Sequence, residues 1–147
     1  MYESAPLNDL IKIKRMMTMI KTVVNLIEKA QSRIDENGTG RAQLNGRMRG
    51  MWGHVGRLEE KYAVSFNENK FHLYHWGTKT LTIDLNVGRL DEFYGESVSD
   101  RDSMNTVLRY FNLDGCFRYF PSKHEFIFEI DGQQVTTDDN INGGIYL

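Results

Sequence analysis

The chain has 147 residues, 40% of them hydrophobic and 12% aromatic, with a net charge of −2. That is enough for a packed core in one domain, or one domain with an appendage. One cysteine, Cys116, excludes an internal disulfide and fits a reducing compartment.

The small net charge hides a split. The first 58 residues carry 10 Lys and Arg against 5 Asp and Glu, or +5. The remainder carries 8 against 15, or −7. A basic arm on an acidic body can approach nucleic acid or a charged protein partner with one end. The same pattern also arises from ordinary solvated faces. Lys21 and Asn25 interrupt the best apolar run, so no membrane-spanning segment is expected. No basic region followed by an unbroken apolar run marks a signal peptide. A cytoplasmic location is the expectation.

Pro6 suits the first turn of a helix, and the pattern predicts one over residues 6–35, stopped by Gly38 and Gly40. Leu10, Ile13, Met17, Ile20, Val24, Ile27, Gln31 and Ile34 form a heptad-like seam. Met16, Met19, Val23, Leu26 and Ala30 form a second stripe beside it. Either this helix covers a sheet, or Met17, Ile20, Val24 and Ile27 build a homodimer seam.

Residues 37–58 contain Arg41, Arg47, Arg49, Arg57 and His54, and no acidic residue. Leu44, Met48, Met51, Val55 and Leu58 keep helical spacing, which predicts a second helix over 42–62, with a loop as the alternative. Gly46, Gly50 and Gly53 would share one face of it, at a cost of about 1 kcal/mol each relative to alanine. Close helix packing would offset that cost, and so would close approach of a ligand. In the ligand case Arg41, Arg47, Arg49 and Arg57 meet phosphates and Trp52 stacks on bases. The expected division is a helical arm, 1–62, and an α+β domain, 63–147.

From Phe71 the period becomes two. Residues 71–76 and 79–85 alternate and are joined at Gly77-Thr78, which predicts a hairpin, and 90–94 a third strand. Ser99 with Asp102 resembles a capping box, and Met104, Val107, Leu108 and Phe111 follow at helical spacing. Strands are predicted at 116–120 and 125–130, and Asp131-Gly132 signals a turn into a further strand. Gly143-Gly144 leaves 145–147 to add a short strand or stay loose. The fold class is therefore α+β, an antiparallel sheet with one packed helix, preceded by an N-terminal helical hairpin.

No nucleophile elbow, phosphate loop or dinucleotide fingerprint is present, so no catalytic residue and no cofactor is assigned. His72 and His75 point to opposite faces of a strand, and a metal site combining either of them with His124 and Cys116 lacks paired ligand spacing. Cys116 with a histidine could form a nucleophile and base, but a small buried hydrophobe is the commoner role. Phe126 and Phe128 could stack bases, yet Glu125 and Glu129 flank them and would repel phosphate. Asp91, Glu92 and Glu96 belong to an acidic cluster suited to a basic protein partner.

The run from Leu73 through Asp84, with Tyr94 and the segment from Ser97 to Thr106, resembles small uncharacterised proteins of bacteriophages and related mobile elements. Proteins of that size and origin include anti-CRISPR inhibitors, which act by binding. The resemblance implies a non-enzymatic binding protein that inhibits a host RNA-guided nuclease by protein–protein contact. A nucleic-acid-binding accessory protein, using the basic Gly/Arg-rich segment, is the alternative. Acidic Asp91, Glu92 and Glu96 are the contact residues expected for the first reading.

Overall fold

The computed structural model describes residues 19–49, 55–139 and 141–147. Among these, the chain runs α1 (Lys21–Ser32), β1 (Thr39–Arg49), β2 (Val55–Asn67), β3 (Lys70–His75), β4 (Thr78–Asp84), β5 (Arg89–Phe93), α2 (Val98–Tyr110), β6 (Cys116–Phe120), β7 (Glu125–Ile130), β8 (Gln133–Thr136) and β9 (Ile145–Tyr146). A six-stranded sheet has the order β1-β2-β3-β4-β5-β9, and a three-stranded sheet the order β6-β7-β8, with every pair antiparallel.

The α+β class holds, but the N-terminal helical hairpin does not. Of the segment expected as a second helix, residues 42–49 and 55–62 instead belong to two strands of the large sheet, and 50–54 lie outside the described residues. Strand pairing removes the helical penalty at Gly46, while Gly50 and Gly53 lie outside the described residues, and Gly40 of β1 has a specific task. A Cβ on Gly40 would lie 2.4 Å from the Ala30 carbonyl oxygen and 2.9 Å from the Ile34 nitrogen. Only a residue without a side chain lets β1 pass this close under the end of α1. The boundary expected between residues 62 and 63 falls inside β2. Of the first helix, the described part is α1, and residues 6–18 lie outside the described residues.

α1 packs on β1 and β2 through Val23, Leu26, Ile27 and Ala30. Three of these belong to the second apolar stripe and one to the heptad seam. The inner rows of the sheet read Val64–Leu73–Leu81 and Phe66–Phe71–Ile83–Leu90 across the strands, all buried. Phe117, Phe126 and Phe128 of the small sheet close the core against Phe93.

α2 begins two residues earlier than the sequence pattern placed it. Ser97 is the N-cap, and its hydroxyl accepts from the Asp100 amide at 3.0 Å. The expected Ser99–Asp102 box is therefore replaced by the same spacing at Ser97 and Asp100. The second hairpin turns at Trp76-Gly77, both with positive φ (49° and 79°), one residue before the expected Gly77-Thr78. The Asp131-Gly132 turn and the short strand β9 are present.

Gly40→Ala is expected to lower stability by about 1–3 kcal/mol, because its new methyl group meets backbone that cannot rotate away. Urea unfolding of the variant checks this. A midpoint equal to wild type would show that α1 does not hold β1 at this distance.

Candidate functional site

β3 ends on the inner face with His75, opposite Tyr62 of β2, and the two rings stack at 4.6 Å with 10° between planes. The first turn of α2 brings Asp100 to the other side of the imidazole. His75 Nδ1 and Asp100 Oδ1 are 2.6 Å apart, and both side chains are 8% exposed. The second carboxylate oxygen accepts from the Glu96 amide at 3.0 Å. Burial pushes the Asp100 carboxyl up, but the hydrogen bonds from His75 and the Glu96 amide hold it below the usual carboxylate range. Asp100 is thus ionised at neutral pH, and the imidazole donates from Nδ1. Among the described residues the hydrogen bonds of His75 engage Nδ1 alone.

This pair forms the back of a cavity of about 340 Å3, whose walls include Trp76, Tyr94, Glu96 and Ser97. Trp76 holds φ at 49°. The left-handed region costs a side chain of this kind about 1–2 kcal/mol, and glycine or asparagine normally fills such a turn position. The indole lies beside Gly46 of β1, where a Cβ would make ordinary contact with the ring at 3.4 Å and tighter contact with the Lys61 side chain at 3.1 Å. The Tyr94 hydroxyl donates to Glu96 at 3.0 Å, so Glu96 stands exposed at the cavity with one carboxylate oxygen engaged.

The other two acidic candidates lie elsewhere, on the outer face. A bulge in the pairing of β4 with β5 sets Asp91 and Glu92 on the same side of the sheet. Asp91 is bonded to Lys70 and to Arg89 Nε (2.6 Å), and Asp84 lies 3.5 Å from the Arg89 guanidinium. Glu92 pairs with Lys79 at 2.8 Å and accepts from Thr82 at 3.1 Å. Burial raises the Asp91 carboxyl, while Arg89 and Lys70 bring it below its ordinary range. The Lys79 hydrogen bond lowers Glu92. Three carboxylates face three cations here, so the outer face carries no local excess of negative charge.

The basic candidates sit on β1 and β2. β3 pairs only with the last part of β2, from Tyr62 to Asn67. Residues 45–49 of β1 and 55–61 of β2 therefore pair only with each other among the described residues, as a two-stranded ribbon running past the sheet. Arg41, Arg47 and Arg57 are exposed. Arg41 bonds Glu60 at 2.8 Å, and Arg47 reaches the Gly56 carbonyl at 3.4 Å. Arg49 ends β1, and Trp52 lies outside the described residues. Leu44, Met48 and Leu58 are 41%, 42% and 55% exposed.

Of the expected oligomer seam, Ile27 is fully buried inside this chain, Val24 and Ile20 are half-buried, and Met17 lies outside the described residues. The Ile20 amide donates to the Thr106 hydroxyl of α2 at 3.0 Å. His72 and His75 do face opposite sides, and neither is brought to His124 or Cys116. Among the described residues no group of His, Cys, Asp or Glu could hold a metal. Phe126 and Phe128 are core residues, 4% and 0% exposed, and offer no stacking face to RNA.

The Tyr62–His75–Asp100 stack was missed in the sequence. Its local signal was the Ser97-x-x-Asp100 spacing, which fixes where the first turn of α2 begins. The strand partner lies 25 residues away and carries no local mark. No protein-family model, no curated protein and no solved structure matches the chain. Among the described residues no helix is long and apolar enough to cross a membrane.

Removing Asp100 leaves a buried imidazole without its partner, so Asp100→Ala should cost about 1–3 kcal/mol. Because the folded carboxyl titrates lower than the unfolded one, its contribution is complete above the unfolded value of about 3.9. It is lost as the pH falls through the folded value. The gap in stability between wild type and Asp100→Asn should therefore shrink below about pH 4, as read from urea midpoints across the acid range. A constant gap would show that the carboxylate charge is not what the site uses.

Proposed function

We propose that the protein is a non-enzymatic binding protein whose contact element is the β1–β2 ribbon. The observation that carries this is a two-stranded ribbon, its β1 edge free among the described residues, bearing exposed Leu44, Met48 and Leu58 among Arg41, Arg47 and Arg57. Among the described residues β1 has a strand neighbour on one side only, so part of its backbone donors and acceptors remain available for another chain. Arginine, methionine and large apolar side chains are enriched in protein interfaces, where arginine also guards an edge against indiscriminate pairing. The acidic outer face supports the contact less well, since Lys70, Arg89 and Lys79 already neutralise Asp91 and Glu92.

The partner proposed is a host protein, and the resemblance to phage proteins puts an RNA-guided nuclease first, with the protein acting as its inhibitor in the host cytoplasm. Nucleic acid is the second reading. Its support is the absence of any acidic residue from Asn37 to Leu58 and the ribbon form, which a DNA major groove can admit.

Purified RNA-guided nuclease, assayed for cleavage with increasing amounts of the protein, tests the first reading. Inhibition should saturate, and the Met48→Glu, Leu58→Glu double variant should weaken it about tenfold or more. Its urea midpoint should stay close to wild type, because both positions are exposed. The second reading expects binding to DNA or RNA without nuclease, with a salt slope that drops by about 2 when Arg47 and Arg49 become glutamine. Binding that follows the arginines and ignores the apolar pair would replace the first reading by the second.

A further inference from the structure

Neither the ribbon nor the outer ion pairs use the cavity behind Trp76, and we infer that it is a binding site for a neutral, hydroxyl-rich ligand, a single pyranose ring. The cavity is about 340 Å3. That is the lower end of small-ligand sites, which run from about 300 to 1,000 Å3, and it suits one ring better than a nucleotide cofactor.

Charge selects the class. A free anion would meet the Glu96 and Asp100 carboxylates. A free cation would meet the positive end of the α2 dipole. Asp100 already offsets that dipole and accepts from His75 and the Glu96 amide, so the remaining negative charge at the wall is that of Glu96, which is solvent-exposed and bonded by the Tyr94 hydroxyl. What remains is a balanced set of donors and acceptors. Thr78 and Ser99 bring hydroxyls to the wall, while the Ser97 side chain is held by Asp100, accepting from its amide and hydrogen-bonding its carboxylate. Glu96 has a carboxylate oxygen that the Tyr94 hydroxyl does not use. His75 also lines the cavity with Nδ1 held by Asp100, so its other ring nitrogen is the one left for a ligand. Sugar hydroxyls both donate and accept, so each can be matched in such a mixed field, whereas a single-signed ion cannot.

The aromatic wall supplies the second half of the recognition. Trp76 occupies a turn position that glycine would fill without strain, yet the chain places an indole there. A strained residue at a cavity is where a functional side chain is expected. An indole face packs well on the C–H face of a pyranose, and the hydroxyl rim of the ring then reaches the polar wall.

The test uses the full chain with Trp52→Phe, so that Trp76 is its only tryptophan. Methyl pyranosides of glucose, galactose, mannose and N-acetylglucosamine are titrated while tryptophan emission is followed. At least one should give a saturable change with a dissociation constant on the order of millimolar, as expected for so few ligand atoms. Glu96→Gln should weaken it about tenfold, the usual effect of losing a hydrogen bond to a charged group. Trp76→Gly, followed by ligand-observed NMR, should abolish binding while circular dichroism stays native, since glycine relieves the turn. Trp76→Phe should restore part of it. Oligosaccharides ending in the preferred unit form a second arm: tighter binding to them assigns the site to a glycan end, and equal binding assigns it to the free sugar. No response to any pyranoside overturns the inference. So does a response to arginine amide, inorganic phosphate or a nucleoside in place of the sugars.

Discussion

The Asp100 carboxylate is the junction on which the inner half of this fold depends. One oxygen takes the proton of His75 from the end of β3, and the other takes the Glu96 amide from the segment after β5. Its own amide is capped by Ser97. Strand, connection and helix are thus fixed relative to one another by one side chain. A buried carboxylate is costly unless every lone pair is used, and here burial by Tyr62 is tolerable because the site is almost fully satisfied. The same logic runs down the helix. Asn105 donates to the Phe117 carbonyl at 3.0 Å and accepts from the Phe117 amide at 2.8 Å, stitching the small sheet to α2. Thr106 accepts from Ile20 at the start of α1. α2 therefore positions its neighbours by directional polar bonds, while Met104, Val107 and Leu108 provide the apolar area.

The two faces of the large sheet treat charge in opposite ways. Inside, the single His75–Asp100 hydrogen-bonded pair is buried and geometrically fixed. Outside, Lys70, Lys79 and Arg89 interleave with Asp84, Asp91 and Glu92 in a solvated ladder. Exposed pairs of this kind contribute little to stability. Their effect is to cancel the local field, which changes what the face can recruit. A sequence that is −7 after residue 58 does not imply a negative surface wherever its acids fall. The β4–β5 bulge, which puts two consecutive acids on one side, is invisible in composition.

The central strands were legible because period two, aromatic content and turn residues agree from Phe71 to Leu85 and again from Cys116 to Thr136. The segment from Thr39 to Lys61 misled because Leu44, Met48, Met51, Val55 and Leu58 mimic one face of a helix. The spacing is shared between two strands, and the exposure of Leu44, Met48 and Leu58 shows that it does not mark a buried face. The glycines held the contrary signal. Several glycines at about 1 kcal/mol each are a heavy load for a helix, whereas Gly40 in a strand is required by the backbone of α1. The His75–Asp100 pair was beyond reach because pairing of a strand end with a helix start depends on tertiary register alone.

Ribbon and cavity meet at one place, and this bears on how either can bind. The Trp76 amide donates to the Lys61 carbonyl at 2.8 Å, at the point where β2 leaves β3 and where an irregularity interrupts its pairing with β1. The Trp76 indole lies beside Gly46 of β1. A two-stranded ribbon standing clear of a sheet would otherwise be free to swing, since isolated hairpins are marginal in water. Here its root is anchored from both strands by one residue, which is itself fixed beside His75. Anchoring of this kind lowers the entropy lost when the ribbon meets a partner, so more of the contact energy appears as affinity. It also means that the strained turn at Trp76-Gly77 serves the ribbon and the cavity together, which explains why a bulky aromatic stands where a second glycine would have been easier to fold.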